Sequence, residues 1–416
     1  MKALILGGSG REHAIAWKLA QSSHIERVYC SPGNSGIADI ADCITTGTDD
    51  MQALVDFVKF EWIDLTIAVS EPFIASGVVD LFKKEGCRVL GPSRSAARPG
   101  FSRIFTKELL RHHKIQTAGY RVFSSCLQAE EHVRLKGTPL VIKTDTSDGV
   151  YIAGSVEEAV SALRLIMKEK AFGDIGKGVI IEDKLHGEEV SLLACTDGKT
   201  VLPLTSIKIY STENDSDDGW RMQSTGALSP SPAFTRETEQ ELADRIFGAV
   251  LKAFQSEGIH IRGMLSAKVI IDKGLPYLIS LQCNFSDPET QVVLPRMETD
   301  LMDIASAIMD ERLSEIRIEW KDAISVCVVV SSENGTGKSA GIPEIKGLEA
   351  AKAMENIMIF QNSPSSRPTH KASSGSSILS VNALGSNLSE ARDRAYAAVG
   401  EMQFKGMHYR SDIGKT

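Results

Sequence analysis

Apolar and polar positions along the first hundred residues switch between two periods. Residues 3–6, ALIL, read as a short strand, and the helix after the turn GGSG puts Ile15, Ala16, Leu19 and Ala20 on one face. The succession then recurs. A strand through RVYCSPGNSG ends in a turn carrying Asn34, and a helix covers Asp49–Phe60. A strand over Leu65–Val69 leads to Ser70-Glu71-Pro72, followed by a helix over Val78–Lys84 and a strand over Arg88–Leu90. This alternation predicts a parallel, doubly wound α/β sheet of about one hundred residues. Ligands of such sheets sit beyond the carboxyl ends of the strands, where Gly8, Gly10, Arg11, Asn34 and Glu71 fall.

Further on, a helix is expected over Ser102–His113 and strands over Pro139–Lys143 and Val179–Asp183. Ser155 and Glu158 fit a capping box at the head of another helix, and Arg236–Glu257 reads as a long amphipathic one. Ala267–Asp272 and Tyr277–Leu281 predict a hairpin, and Asp300–Glu311 a helix. From Ala323 the pattern restarts: strand Ile324–Val330, helix 347–355, strand Ile378–Val381, and helix 388–403 capped by Asn387 and Glu390. The polar stretches 211–219 and 362–377 read as loops, and no internal repeat is evident.

At 416 residues the chain exceeds a single core and implies two to four domains. A net charge of −8 excludes a broad nucleic-acid footprint. The seven cysteines form no CxxC and no Cys/His cluster, which argues against a zinc site or disulfide framework and for a reducing compartment. No apolar run approaches ~20 residues and the N-terminus enters a strand directly, so no membrane partner is expected and the chain reads as cytoplasmic.

Three features hold candidate chemistry. The glycines at 7, 8 and 10 and the helix N-terminus after them could cradle a phosphate, or be plain strand-to-helix geometry. A dinucleotide site, and with it a dehydrogenase, is disfavoured because His13 stands where the fingerprint needs its third glycine. Lys107 and Lys143 lie on a helix and at a strand end; singly each reads as a solvated residue, while together with the acidic strand end at Glu182 and Asp183 they point to a nucleotide between two small sheets. Finally, PYLISLQCNFSDPETQ (276–291) runs from a buried strand into a polar turn presenting Asp287 and Glu289. Carboxylates at a strand edge can position a metal or polar ligand, and a simple polar turn fits the same residues.

The segments GREHAIAWK (10–18), SPGNSG (31–36), FTKELL (105–110), HGEEVS (186–191), SDPETQ (286–291) and YRSDIG (409–414) together resemble the phosphoribosylamine–glycine ligase family (glycinamide ribonucleotide synthetases), ATP-grasp enzymes of purine biosynthesis. The resemblance covers essentially the full length. It implies an N-terminal doubly wound, Rossmann-like domain (1–101), an ATP-grasp core of two α+β subdomains (102–322, with a small lid at about 121–188), and a small C-terminal α/β domain (323–416). The implied reaction joins glycine to 5-phosphoribosylamine through a glycyl phosphate, using ATP and magnesium, in a monomer or homodimer. The resemblance assigns Lys107 and Lys143 to ATP phosphates, Glu182, Asp183 and Leu185 to adenine, and Glu189 to ribose. Gly8, Gly10, Arg11, Asn34 and Glu71 would face the phosphoribosylamine or an analogue, with Asp287 and Glu289 near the substrates.

Against that pattern the departures cluster. The Gly-rich flap after Lys143 is reduced to TSDG (146–149), with Asp148 where a cation would serve. Ser280 and Gln282 occupy the positions where the family's Glu and Asn bind magnesium, an ion that relies on hard oxygens and carboxylate charge. Asn284 and Ser286 replace an Arg and a Gly, the loop before Pro230 survives as DGWRMQSTGALSP (218–230), and a Gly-Gly-Arg turn has become Ser374-Gly375-Ser376. Two readings stay open: a ligase of the family reaction, and a non-catalytic relative that binds a nucleotide, a ribose phosphate or a protein partner.

Overall fold

The computed structural model describes the chain except for residues 48, 147–148, 174, 177, 212–218, 222–223, 285, 333–343, 363–375 and 416. The flap residue Asp148, most of the acidic loop, and the Ser374-Gly375 turn therefore lie outside the described residues.

Three sheets organise what is described. The first is parallel, with strands in the order Asp42–Cys43, Arg27–Pro32, Lys2–Gly7, Leu65–Ala68 and Val89–Leu90. Ala3, Leu4, Ile5 and Leu6 are all fully buried, because helices pack on both faces of a parallel sheet. The helix Gly10–Leu19 departs from its amphipathic reading. Gly10 through Ala16 are buried on every side and Ala20 is exposed, since this helix is wedged between its own sheet and the two regions that follow in sequence. Its start is fixed by Ser9 and Glu12, which satisfy each other's backbone amides in a capping box.

The second sheet is small and antiparallel, ordered Gly219–Arg221, Val150–Ala153, Leu140–Thr144, Val179–Asp183 and Tyr120–Phe123. Helices Cys126–Lys136 and Val156–Met167 pack together over it, around Val133, Ile142, Leu163 and Ile181. The expected Ser155–Glu158 capping box is present.

The third sheet is antiparallel and has nine strands among the described residues. Its path runs from Leu275–Gln282 through Gly263–Asp272, Gly187–Thr196, Val201–Tyr210 and Gly226–Ser229. It continues into Ile324–Ser332, Ser376–Gly385 and Ile357–Gln361, with Met407–His408 also on Ile324–Ser332. The strands after Ala323 thus extend one continuous ladder, which removes two free edges. The long helix Arg236–Ser256 covers one face, where Phe247 and Phe254 meet Val190, Leu192, Leu265, Ala267 and Val269. The alternate residues of those strands, Ser191, Ser266 and Lys268, point to the other face.

Candidate functional site

The resemblance places most candidate residues in three clusters, which the fold arranges in different ways. At the junction of the three regions, the turn after the first strand meets residues 287–291 and 361–362. A Cβ on Gly10 would lie 2.6 Å from Gln291 Nε2, 2.7 Å from Asn362 Oδ1 and 3.4 Å from Asp287 Oδ2, so any larger residue would displace these side chains. The Gly10 amide donates to Asn362 Oδ1. Asn34 Nδ2 donates to the carbonyls of Gly8 and Gln361, both at 2.8 Å, and its Oδ1 accepts from the Ile37 amide at 2.8 Å. Gln361 is tied back again, its amide donating to His13 Nδ1 at 3.0 Å and its Oε1 accepting from Ser35 Oγ at 2.7 Å. Burial, helped by Lys352, pushes His13 down to about 4, so at neutral pH it is a neutral acceptor at Nδ1.

Arg11 is buried beside this junction, with Nε 2.8 Å from Glu12 Oε1. Burial works against its charge, but Glu12, Glu71 and Asp287 outweigh it and hold the guanidinium protonated. Asp287 behaves in the opposite sense. Desolvation pushes its carboxyl up to about 6, even with Arg11 nearby. Glu71 lines a narrow cleft together with Gln282 and Asn284. Asn284 Nδ2 donates to the Val69 carbonyl at 2.9 Å, tying the strand edge to the parallel sheet.

The second cluster brings Lys107 and Lys143 together with Glu182, and neither lysine is a solvated edge residue. Both are buried, with Nζ 3.2 and 3.0 Å from the same oxygen, Glu182 Oε2, and Lys107 also donates to Thr117 Oγ1 at 2.7 Å. Burial pushes Lys107 down to about 8, with Glu182 opposing. Burial alone would raise Glu182, but the two lysines win and keep it below the usual carboxylate value. Its other oxygen, Oε1, is buried with no hydrogen-bond partner among the described residues. Asp183 sits at the rim in an ion pair with Lys136, and Leu185 and Glu189 are half-buried beyond it.

The third cluster is on the open face of the large sheet. Glu289, at the head of the short helix Glu289–Val293, is fully buried. Its Oε1 accepts from Ser191 Oγ at 2.7 Å, and its Oε2 from Ser266 Oγ at 2.9 Å and the Ser286 amide at 3.4 Å. The register sets Ser191, Lys268 and Ser280 side by side across three strands, with Leu193, Ser266 and Gln282 forming the next row but one. Ser191, Ser266 and Lys268 escaped the sequence reading as site residues, although for Ser266 and Lys268 the polar residues two apart in the apolar run GMLSAKVIID were an available signal.

The resemblance assigns a magnesium ion to Ser280 and Gln282, and these residues do not fit one. They offer a hydroxyl and an amide, both neutral; Gln282 Oε1 is buried without a partner, and a lysine stands directly opposite Ser280. The carboxylate that reaches this face, Glu289, has both oxygens engaged. Groups of three metal-ligating side chains among the described residues occur only elsewhere, at His112, His113 and Glu257 and at His24, Asp300 and Asp303.

Comparison with known proteins covers the whole chain. Models of phosphoribosylglycinamide synthetase match in three parts: the N domain at residues 1–98, the ATP-grasp (A) domain at 101–290 and the C domain at 325–416. Phosphoribosylamine–glycine ligase of Salmonella typhimurium is 37% identical over 420 residues, spanning 100% of this chain and 98% of that protein. The ligase of Caldanaerobacter subterraneus subsp. tengcongensis is 34% identical over 416 residues, 99% of each chain. Among solved structures, phosphoribosylamine–glycine ligase from Thermotoga maritima superposes with a TM-score of 0.79 at 24% identity, over 99% of this chain and 100% of that one. The biotin carboxylase domain of Hydrogenobacter thermophilus 2-oxoglutarate carboxylase, solved with MgADP, shares the fold at a TM-score of 0.71 and 15% identity, over 98% and 91% of the chains. With family models matched along nearly all its length, this chain belongs to the phosphoribosylglycinamide synthetase family.

Proposed function

We propose that the chain is an ATP-dependent carbon–nitrogen ligase that joins glycine to 5-phosphoribosylamine in purine biosynthesis. The observation that carries this is the match to all three parts of the family, together with ligases at 34–37% identity over essentially the whole chain. In this reading ATP lies between the small antiparallel sheet and the open face of the large one. Lys107 and Lys143 turn from Glu182 to the phosphates, and the unpaired Glu182 Oε1 accepts a hydrogen from the adenine amino group, with Asp183 and Leu185 at its edge and Glu189 at the ribose. Arg11 meets the ribose-bound phosphate beside Gly8, Gly10, Asn34 and Glu71. Asp287 and Glu289 border the reacting groups. A glycine carboxylate oxygen attacks the γ-phosphorus and ADP leaves; the ribosylamine nitrogen then attacks the glycyl carbonyl, and inorganic phosphate leaves.

The test is ADP release by the full-length protein with glycine, ATP and phosphoribosylamine generated in situ, read alongside the mass of the amide product. Release that depends on both glycine and the amine supports the ligase. One observation favours a second reading, a nucleotide- or ribose-phosphate-binding relative without turnover: neutral Ser280 and Gln282 stand where the resemblance places the metal. Folded protein that binds ATP yet forms no amide at high enzyme concentration would overturn the ligase and leave that reading.

A further inference from the structure

The large sheet presents a cation that no described side chain neutralises. Lys268 lies on an interior strand, paired on one side through Ser191 and on the other through Ser280, and it is half-buried. Its two neighbours in register are serines, which solvate an ammonium without cancelling its charge. No hydrogen bond or ion pair reaches its Nζ from the described residues, whereas Lys107 and Lys143 both share Glu182. A solvated lysine on an open sheet face is the ordinary alternative; Lys268 differs in being half-buried between two strands with no partner among the described residues. A charge placed on a sheet face is costly unless it is paired, so an unpaired one marks a place where an anion from outside can bind.

The same face lacks the groups a divalent ion needs. Ser280 contributes a hydroxyl, Gln282 an amide whose oxygen is buried and unpaired, and a divalent cation at Ser280 would sit beside an ammonium of like sign. Lysine is a compact point charge that binds phosphate oxygens directly. We propose that Lys268 is the phosphate-binding cation of this sheet, so that the polyphosphate of a nucleotide is held here by an ammonium group and not by a divalent metal. This rests on the nucleotide site placed above between the two sheets.

The experiment is titration calorimetry of the full chain with ATP, in EDTA and again in magnesium chloride, on the wild type and on Lys268→Met. The proposal expects ATP affinity to agree within about twofold between the two buffers, and Lys268→Met to weaken it by about tenfold in EDTA, equal to ~1.4 kcal/mol. A triple variant, Lys268→Ala with Ser280→Glu and Gln282→Asn, should restore carboxylate charge and make ATP binding magnesium-dependent. Far-UV circular dichroism establishes that each variant is folded, and the single variant suffices if the triple one is not. Wild-type binding that requires magnesium, with Lys268→Met indistinguishable from it, overturns the proposal and leaves the nucleotide site standing. Absence of ATP binding in both buffers overturns the proposal and the nucleotide site together.

Discussion

The three-domain junction and the open face of the large sheet are both dense in polar side chains, yet they use them differently. At the junction most donors and acceptors named above are spent internally, the Gln291 side-chain amide excepted: Asn34 makes three hydrogen bonds, and Gln361 is held by Asn34, Ser35 and His13. On the sheet face one part, around Glu289, is saturated, while Lys268 and Gln282 Oε1 have no partner among the described residues. A saturated buried network fixes geometry, whereas an unsatisfied group is expensive and is kept where a ligand completes it. The Asn34–Gln361 network therefore holds the regions in register, while binding energy remains to be gained at the Gln291 amide and, with an uncompensated charge, on the sheet face.

Glu289 is the sharpest probe of the saturated side. Glu289→Ala strands the hydroxyls of Ser191 and Ser266 and opens a hole in a fully buried position, and is expected to cost about 4 kcal/mol of unfolding free energy. Glu289→Gln keeps the shape and one acceptor and should cost less than half as much. Urea denaturation of the two variants checks this, and equal losses would show that charge, not hydrogen bonding, holds the cluster.

Asp287 separates the two regions by pH. Its carboxyl is raised to about 6 in the fold from an ordinary value near 3.8, with burial as the cause. Between those values the folded chain holds a proton that the unfolded chain has released, so stability falls as pH rises through about 4 to 6. Asp287→Asn should flatten that slope and stabilise the protein at pH 7 by about 2 kcal/mol, allowing for the residue's partial exposure. Denaturation midpoints across this pH range give the answer; a slope unchanged in the variant would assign the titration to another group.

Local patterns were legible in the sequence, and pairings across the chain were not. The alternation from Ala3 to Leu90 predicted the parallel sheet, and the Ser155 and Asn387 caps fall at the starts of their helices. By contrast, no strand is predicted over 187–196, where Glu188 and Glu189 stand at the start of the ten-residue strand Gly187–Thr196. The polar start hides a strand whose partner, Gly263–Asp272, is far away in sequence. Lys107, Lys143 and Glu182 likewise come from a helix and two strands, and only the fold shows that one carboxylate oxygen serves both lysines. The alternation of Ser266 and Lys268 marks one face of a strand, but only the register sets Lys268 beside Ser280 and Ser191.

The smallest expected effect decides the comparison. Asn34→Ala removes two side-chain donors from the carbonyls of Gly8 and Gln361 and an acceptor from the Ile37 amide, which should cost about 1.5 kcal/mol. Lys268→Met removes a charge with no partner among the described residues and keeps an apolar stem of similar length against the sheet, so ligand-free stability should change by less than about 0.5 kcal/mol. Paired urea denaturations without nucleotide measure both. If Lys268→Met destabilises the free protein as much as Asn34→Ala, the lysine has an internal role after all and the contrast between the regions collapses. If it leaves stability unchanged while weakening ATP binding, the charge is maintained for a ligand and not for the fold, because a group that contributes nothing to folding has only binding left to account for its burial.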